Sequence, residues 1–295
     1  MSTSAPTPKS RVALIGAGRV GTAVAELLRR RGRALAGVSS RRAESAERAA
    51  AALGTSVFDH RIALPEADIF LVGAPDGAIA PVASEIAPFL HEGAAVIHFA
   101  GALGLAPLGD ASAVGAGVAA LHPVQSFPDV ETALERLPGS AWGVTASEGI
   151  LRWSEDLITE ELEGLAVTVP EAARPTWHAA SVSTSNGVAA LLATGEAMLA
   201  SVGIDRPQRV LGPLAAGTVA NARRRGGALT LTGPVVRSES ATIARHLEAL
   251  AITAPELVED YARVARIIVG AALRAQRIAD EQAAKMLDLL ENAGR

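Results

Sequence analysis

The stretch Arg11–Thr22, RVALIGAGRVGT, decides the fold. Val12 to Ile15 read as a buried strand. Gly16, Gly18 and Gly21 then complete a G-x-G-x-x-G pattern before Ala23–Arg31, a run with helical periodicity. In a dinucleotide fold each glycine has its own reason. The first makes a tight turn, the second lets a pyrophosphate approach the backbone, and the third allows close helix–strand packing. The helix that follows turns its free N–H groups and positive dipole end toward the phosphates. Glycine loops are common, so the motif alone says little. The strand immediately before it and the helix immediately after supply the context it requires, and an ordinary strand–helix turn is the lesser alternative.

The whole chain is compatible with that reading. Its 295 residues suit one large domain or two ordinary ones, and nearly half are hydrophobic. A net charge of −4 argues against a nucleic-acid or anionic-membrane surface as partner. With no cysteine, disulfides, thiolate catalysis and cysteine metal sites are excluded, and a cytoplasmic location is expected. Residues 1–10 are polar with two prolines and read as a flexible tail. The longest apolar segment, Val188–Ile204, is interrupted by Glu196 and reads as a core helix, not a membrane span. Lysine occurs only at Lys9 and Lys285, so lysine acid catalysis and Schiff-base chemistry are not expected.

Along the chain, a second strand over Ala34–Val38 ends in Ser39-Ser40-Arg41-Arg42. An NAD-binding fold places an acid there, about 20 residues past the glycine loop, for the ribose 2′-hydroxyl. Two hydroxyls and two arginines suit a 2′-phosphate instead, so NADPH is expected over NADH. Read blandly, the segment is a solvated basic turn before a helix over Ala43–Leu53. Further strands are expected at Asp68–Val72, Ala94–Phe99, Gly117–Leu121, Trp142–Thr145 and Leu165–Val169, with helices at Ile79–Phe89 and Glu148–Glu163. This alternation specifies an α/β domain: a Rossmann doubly wound, mostly parallel sheet over 11–170, with ligands at the carboxyl ends of its strands. From 171 to 295 only helical runs remain, an all-α domain: Pro175–Val202, Pro207–Arg225, Ser238–Leu250, Pro255–Arg277 and a last one to about Glu291. The glycine-containing loop Gly226–Pro234 interrupts them and is long enough to be functional.

Of six histidines, His98 and His122 close central strands and His178 opens the first helix of the second domain. His98 in its apolar run reads as a satisfied core residue. His60, His91 and His246 read as surface or loop residues. No spacing matches a metal motif, so no metal is expected. The segment from His178 to Gly187 is unusual, because Ser, Thr and Asn compete with helix hydrogen bonding. At ~100° per residue His178, Ser181 and Ser185 share a stripe, with Asn186 about 80° from His178. Such a polar face suits substrate or nicotinamide, with an imidazole able to supply or orient a proton; a close small-residue helix crossing is the alternative.

Taken together, GAGRVG, the Ser-Arg pair after the second strand, Ala74-Pro75-Asp76, His98 before Gly101, His122-Pro123, His178 with Ser185-Asn186, and Leu231-Thr232-Gly233-Pro234 resemble one family. It is the Rossmann-like bacterial family with a C-terminal helical domain of unknown function. That family is similar in architecture to pyrroline-5-carboxylate reductase, prephenate dehydrogenase and ketopantoate reductase. Some relatives are regarded as alternative ketopantoate reductases, which implies NADPH-dependent reduction of a small 2-oxo acid and a homodimer formed through the C-terminal helices. Two departures stand out. Standard ketopantoate reductases carry a lysine four residues before an asparagine, and Val182 stands four before Asn186. The His-Pro-Met turn of prephenate dehydrogenases is not continued by Val124 and Gln125. The expected cofactor residues are Gly16, Gly18, Arg19, Val20, Gly21, Ser39, Ser40, Arg41, Ala74, Pro75 and Asp76. The expected catalytic residues are His178, Asn186 and His122, with His178 the acid. An imine reductase or prephenate-type dehydrogenase is the nearest alternative, and a non-catalytic NADPH-binding sensor the alternative of another class.

Overall fold

Val12–Ile15 (β1), buried along its whole length as an uninterrupted apolar run requires, lies inside the sheet about which the first part of the chain is built. The computed structural model describes residues 5–292. Six more strands join β1: β2 (Leu35–Ser39), β3 (Ile69–Val72), β4 (Ala95–His98), β5 (Gly117–Pro123), β6 (Ala141–Ala146) and β7 (Leu165–Thr168). Their order is β2-β1-β3-β4-β5-β6-β7. The pairings from β2 to β5 are parallel, β6 runs antiparallel to β5, and β7 is parallel to β6. The sheet is therefore mostly parallel, as the alternation implies, with one reversal. Because β1 sits between β2 and β3, the chain leaves it in opposite directions. A crevice opens at such a switch point, outside the carboxyl ends of β1 and β3.

Helices α1 (Arg19–Arg30), α2 (Ala43–Leu53), α3 (Asp76–Ile86) and α4 (Gly109–Ala113) follow the first four strands. Helix α1 starts four residues before the expected position and α3 three before. Two short helices were not anticipated: α4, and α5 (Val130–Arg136) between β5 and β6, which Asp129 caps by accepting from the Thr132 amide at 2.7 Å. The helix expected over 148–163 breaks into a 3-10 turn, α6 (Leu151–Asp156) and a π turn. Apolar side chains fill both faces of the sheet. Leu14, Leu28, Leu71, Ile97 and Trp142 lie on one, Ile15, Phe70, Ile79, Ile86 and Leu108 on the other. Each contributes about 1.5–3 kcal/mol on burial.

Residues 5–10, expected within a flexible tail, are pinned: Arg33 donates from Nη1 to the carbonyls of Thr7 (2.8 Å) and Ser10 (3.2 Å) while its fork grips Glu161. Residues 1–4 of that tail lie outside the described residues.

By its internal contacts the chain divides between Ser185 and Asn186, inside the long helix α7 (Arg174–Ser201), whereas the change in sequence pattern lies near residue 170. The second unit holds the rest of α7, α8 (Pro207–Arg225), α9 (Ser240–Thr253), α10 (Val258–Arg274) and α11 (Asp280–Glu291). Its core, including Ile243, Val269, Met286 and Leu290, comes from α9–α11 together with Val235 and Ile278. The loop Gly226–Pro234 carries one short 3-10 turn and is tied down by Arg277, which donates to the carbonyls of Ala228, Leu229 and Leu231.

The glycine turn after β1 and the turn after β3 touch backbone to backbone. Gly16 has φ +89°, and a Cβ there would lie 2.7 Å from the carbonyl carbon of Gly73. A Cβ on Gly18 would strike the Gly73 oxygen, and one on Gly73 would strike the Gly16 oxygen and lie 3.3 Å from the Gly21 Cα. Backbone cannot yield as a flexible side chain does, so Gly73→Ala is expected to lower stability by about 1–3 kcal/mol. Gly77→Ala, with nothing within 4 Å of the new methyl, should not. Urea unfolding of both variants measures the difference; equal stabilities would contradict the contact.

Candidate active site

A cavity of about 740 Å³ opens at the switch point. One end is made by Gly16, Ala17, Gly18, Gly73, Ala74 and Pro75, the turns just described. Helix α1 begins here with Gly18 as its N-cap, no side-chain cap and no acidic residue in its first turn. Its leading N–H groups are thus left for an anion. The other end is basic and hydroxylated, lined by Ser40, Arg41, Arg42, Ser45 and Arg61. Arg61 is held by Asp59 through two bonds of 2.8 and 2.9 Å, while Arg41 and Arg42 are exposed and form no ion pair among the described residues. An extended anionic ligand fits this arrangement, with a diphosphate at the glycine end and a further phosphate at the arginine end.

At the end of β2, Ser39 is buried and shares a 2.7 Å hydrogen bond with Nδ1 of His60, whose Nε2 meets Glu85 at 2.9 Å. His60, expected as a surface or loop residue, lies in the loop before β3 but is buried as a wall of the cavity.

A second cluster stands at the ends of β4 and β5. His98 is fully buried and satisfied on both nitrogens: Nδ1 accepts from the Ala100 amide and Nε2 donates to the Gly104 carbonyl. Burial pushes its pKa down, as does the charge of Arg174, against the upward pull of the Gly104 bond and Asp76. His122 and His178 meet edge to face, with ring centroids 5.3 Å apart. Nδ1 of His122 accepts from the indole N–H of Trp177 at 3.1 Å. Nδ1 of His178 is buried without a partner among the described residues. Both rings face Gly101, where a Cβ would collide with Nδ1 of His178 and come within 2.9 Å of Nε2 of His122. Beneath them the Arg174 guanidinium is fully buried and donates to four carbonyls, those of Ala100, Leu103, Ala120 and Gly143. Burial lowers its pKa to about 10, with Glu171 opposing, so it remains a cation at neutral pH. Burial first, then His178 and Arg174, hold His122 at about 4, a neutral imidazole at pH 7.

Residues 2–123 match the family model of a Rossmann-like domain, and residues 140–268 match that of a domain of unknown function, DUF2520. No curated protein matches it in sequence. Among solved structures, a Bacteroides fragilis protein assigned as an NADP oxidoreductase is 23% identical with a TM-score of 0.72, the alignment covering 88% of this chain and 98% of that one. Pyrroline-5-carboxylate reductase of Streptococcus pyogenes is 14% identical, TM-score 0.59, covering 96% and 100%. The reductive aminase of Aspergillus terreus, in complex with NADPH and ethyl-5-oxohexanoate, is 16% identical, TM-score 0.62, covering 97% and 93%. At these identities the likeness establishes the fold.

The Rossmann-like match supplies the glycine turns and His122, while the DUF2520 match begins at Ser140 and so takes in β6, β7 and His178. Of the expected cofactor residues, Gly16, Gly18, Ser40, Arg41, Ala74 and Pro75 line the cavity. Arg19 is exposed and lies in the field of Asp129, Val20 and Gly21 pack toward the core, Ser39 turns to His60, and Asp76 is exposed on α3. Of the expected catalytic residues His122 and His178 are neighbours, and Asn186, exposed on α7, belongs to the second unit. Arg42, read with Arg41 as one of two arginines for a 2′-phosphate, also lines the cavity, whereas sequence reasoning missed Arg61, Arg174 and Trp177. Among the described residues no helix is long and apolar enough to cross a membrane.

The depressed pKa of His122 has a consequence for stability. An unfolded histidine titrates near 6.5 and the folded one at about 4. Between those values the unfolded chain binds the proton that the fold refuses. Stability is therefore fully present above pH 6.5 and falls toward pH 4, by about 3 kcal/mol for this residue. His122→Asn, whose Oδ1 can still accept from Trp177, should flatten that part of the slope. Urea unfolding of both proteins from pH 7 to 4.5 measures it, and identical slopes would contradict the account.

Proposed function

We propose that the chain is an NADPH-dependent oxidoreductase that reduces a small 2-oxo acid, with ketopantoate to pantoate the leading reaction. The observation that carries this is the switch-point cavity, which joins a glycine turn and an open helix N-terminus to a cluster of arginines and serines at the end of β2. The glycine end suits the diphosphate and the arginine end the 2′-phosphate, with no carboxylate at the end of β2 to favour a 2′-hydroxyl. NADPH, when bound, supplies the hydride. His178, with an unpartnered Nδ1, is the acid that delivers a proton to the carbonyl oxygen, and His122 orients that oxygen. Asn186 is assigned to substrate orientation by the polar helix face it was read into and by the family resemblance.

The solved reductases and aminases of this fold support an oxidoreductase, and those that act on imines keep a cyclic imine as the second reading. We also propose a homodimer through the C-terminal helices. Helix α8 and the part of α7 beyond Ser185 have no buried side chain, and Leu191, Val210 and Leu214 stand exposed along them.

The test is NADPH and NADH oxidation with ketopantoate, other 2-oxo acids and cyclic imines, on a preparation whose mass is checked by sedimentation. A dimer that oxidises NADPH with an oxo acid is expected. Arg41→Ala should weaken NADPH about 10- to 100-fold and NADH little, since a charge-assisted bond is worth roughly 1.5–3 kcal/mol. His178→Ala should leave NADPH affinity intact and cut turnover ~100-fold. NADPH bound but never consumed would point to a sensor; equal weakening of both cofactors would remove the 2′-phosphate assignment.

A further inference from the structure

We infer that Trp177 is a positioning residue: its indole N–H, bound to Nδ1 of His122, forces the imidazole hydrogen onto Nε2, on the side of the ring that faces Gly101 and His178. This rests on the reductase reading for its purpose, not for its geometry. An indole nitrogen can only donate, so Nδ1 of His122 has to accept. A neutral imidazole carries one hydrogen, which leaves Nε2 as the donor. Protonating Nδ1 would set two N–H groups against each other, so the same contact opposes the imidazolium. Burial, His178 and Arg174 act in the same direction.

The contact is built by three elements. Gly143 stands directly opposite His122 in the β5–β6 pairing. A Cβ at Gly143 would lie 2.7 Å from the indole, so only glycine lets the ring lie over β6 and reach the histidine. Arg174, three residues before Trp177 on α7, pegs that first turn to the carbonyls of Ala100, Leu103, Ala120 and Gly143. Trp177 is thus placed from both sides. His98 gives the contrast, because its Nε2–H is consumed by the Gly104 carbonyl, whereas no group among the described residues takes up Nε2 of His122.

The two imidazoles beside Gly101 then differ in kind. His122 is a fixed neutral donor, suited to hold the oxygen of a 2-oxo acid and to stabilise the negative charge that hydride addition places on it. His178, whose buried Nδ1 has no partner among the described residues, is the group left to transfer the proton. The balance is simple: hydride to the carbonyl carbon, one proton to the oxygen, and His178 restored from solvent. His122 keeps its hydrogen throughout.

The experiment is a long-range nitrogen–proton spectrum of the imidazoles in the wild-type protein alone at pH 7, with the His122 signals identified by their loss in His122→Asn. The Nε2–H tautomer is expected. An Nδ1–H tautomer or an imidazolium would overturn the proposal, and this needs no tryptophan variant to fold. Folded Trp177→Phe should show mixed tautomers and about a 10-fold lower kcat for NADPH-dependent ketopantoate reduction, with NADPH affinity unchanged. Unchanged tautomer or unchanged kcat in that variant would also overturn it. If the wild type shows the Nε2–H form yet consumes no NADPH with any oxo acid or imine, the reductase reading falls and the positioning role falls with it, while the tautomer stands.

Discussion

Two turns of the chain meet with no side chain between them. Gly16 and Gly18 close on Gly73, and each would carry a methyl into the other's backbone if it were alanine. That contact sets the spacing of the β1 and β3 ends and hence the mouth of the cavity between them. It also changes the reason for the motif. The second glycine of G-x-G-x-x-G is usually explained by the approach of a pyrophosphate. In this protein the opposing turn already excludes a side chain at Gly18 before any ligand arrives. Ligand approach and turn packing impose the same requirement on one residue.

The second cluster depends on Arg174, a buried cation whose partners are backbone carbonyls rather than a carboxylate. Burying such a charge is costly, and the carbonyl dipoles have to offset it. The arrangement joins the loop after β4, strands β5 and β6 and the first turn of α7 at one guanidinium. It also places a fixed positive charge beneath His98 and His122, where it helps keep both imidazoles neutral. One side chain thus contributes to the shape of the histidine cluster and to its protonation.

The longer helices were legible as periodic runs and the strands as short apolar runs bounded by turn residues; the span of α8, Pro207–Arg225, could be read directly from its proline and glycine boundaries. Helix α5 escaped notice although Asp129 and Pro138 flank it, since seven residues carry too little periodicity. The reversal at β6 was not legible, because alternation of strand and helix does not state strand direction. In the site, residues placed by a motif, Gly16, Gly18, Ser40 and Arg41, line the cavity. Arg61, Arg174 and Trp177 have no motif. They are brought in by a loop before β3 and a helix after β7, so their partners are 71 residues away for Arg174 with Leu103 and 55 for Trp177 with His122. Pairings at that separation follow from the fold, not from local pattern. Ser39 shows the opposite error: the motif placed it beside the cavity, but strand alternation turned it inward to His60.

The central claim is that the switch-point cavity takes a dinucleotide with a phosphate at its arginine end. Competition against bound NADPH, followed by nicotinamide fluorescence, tests it with 2′,5′-ADP and 5′-AMP as displacing ligands. These two differ only in the 2′-phosphate. The account predicts NADPH binding and displacement by 2′,5′-ADP at concentrations at least about 10-fold lower than 5′-AMP, the scale of one lost charge-assisted contact. Equal potency of the two nucleotides, or no binding of NADPH at all, would contradict it.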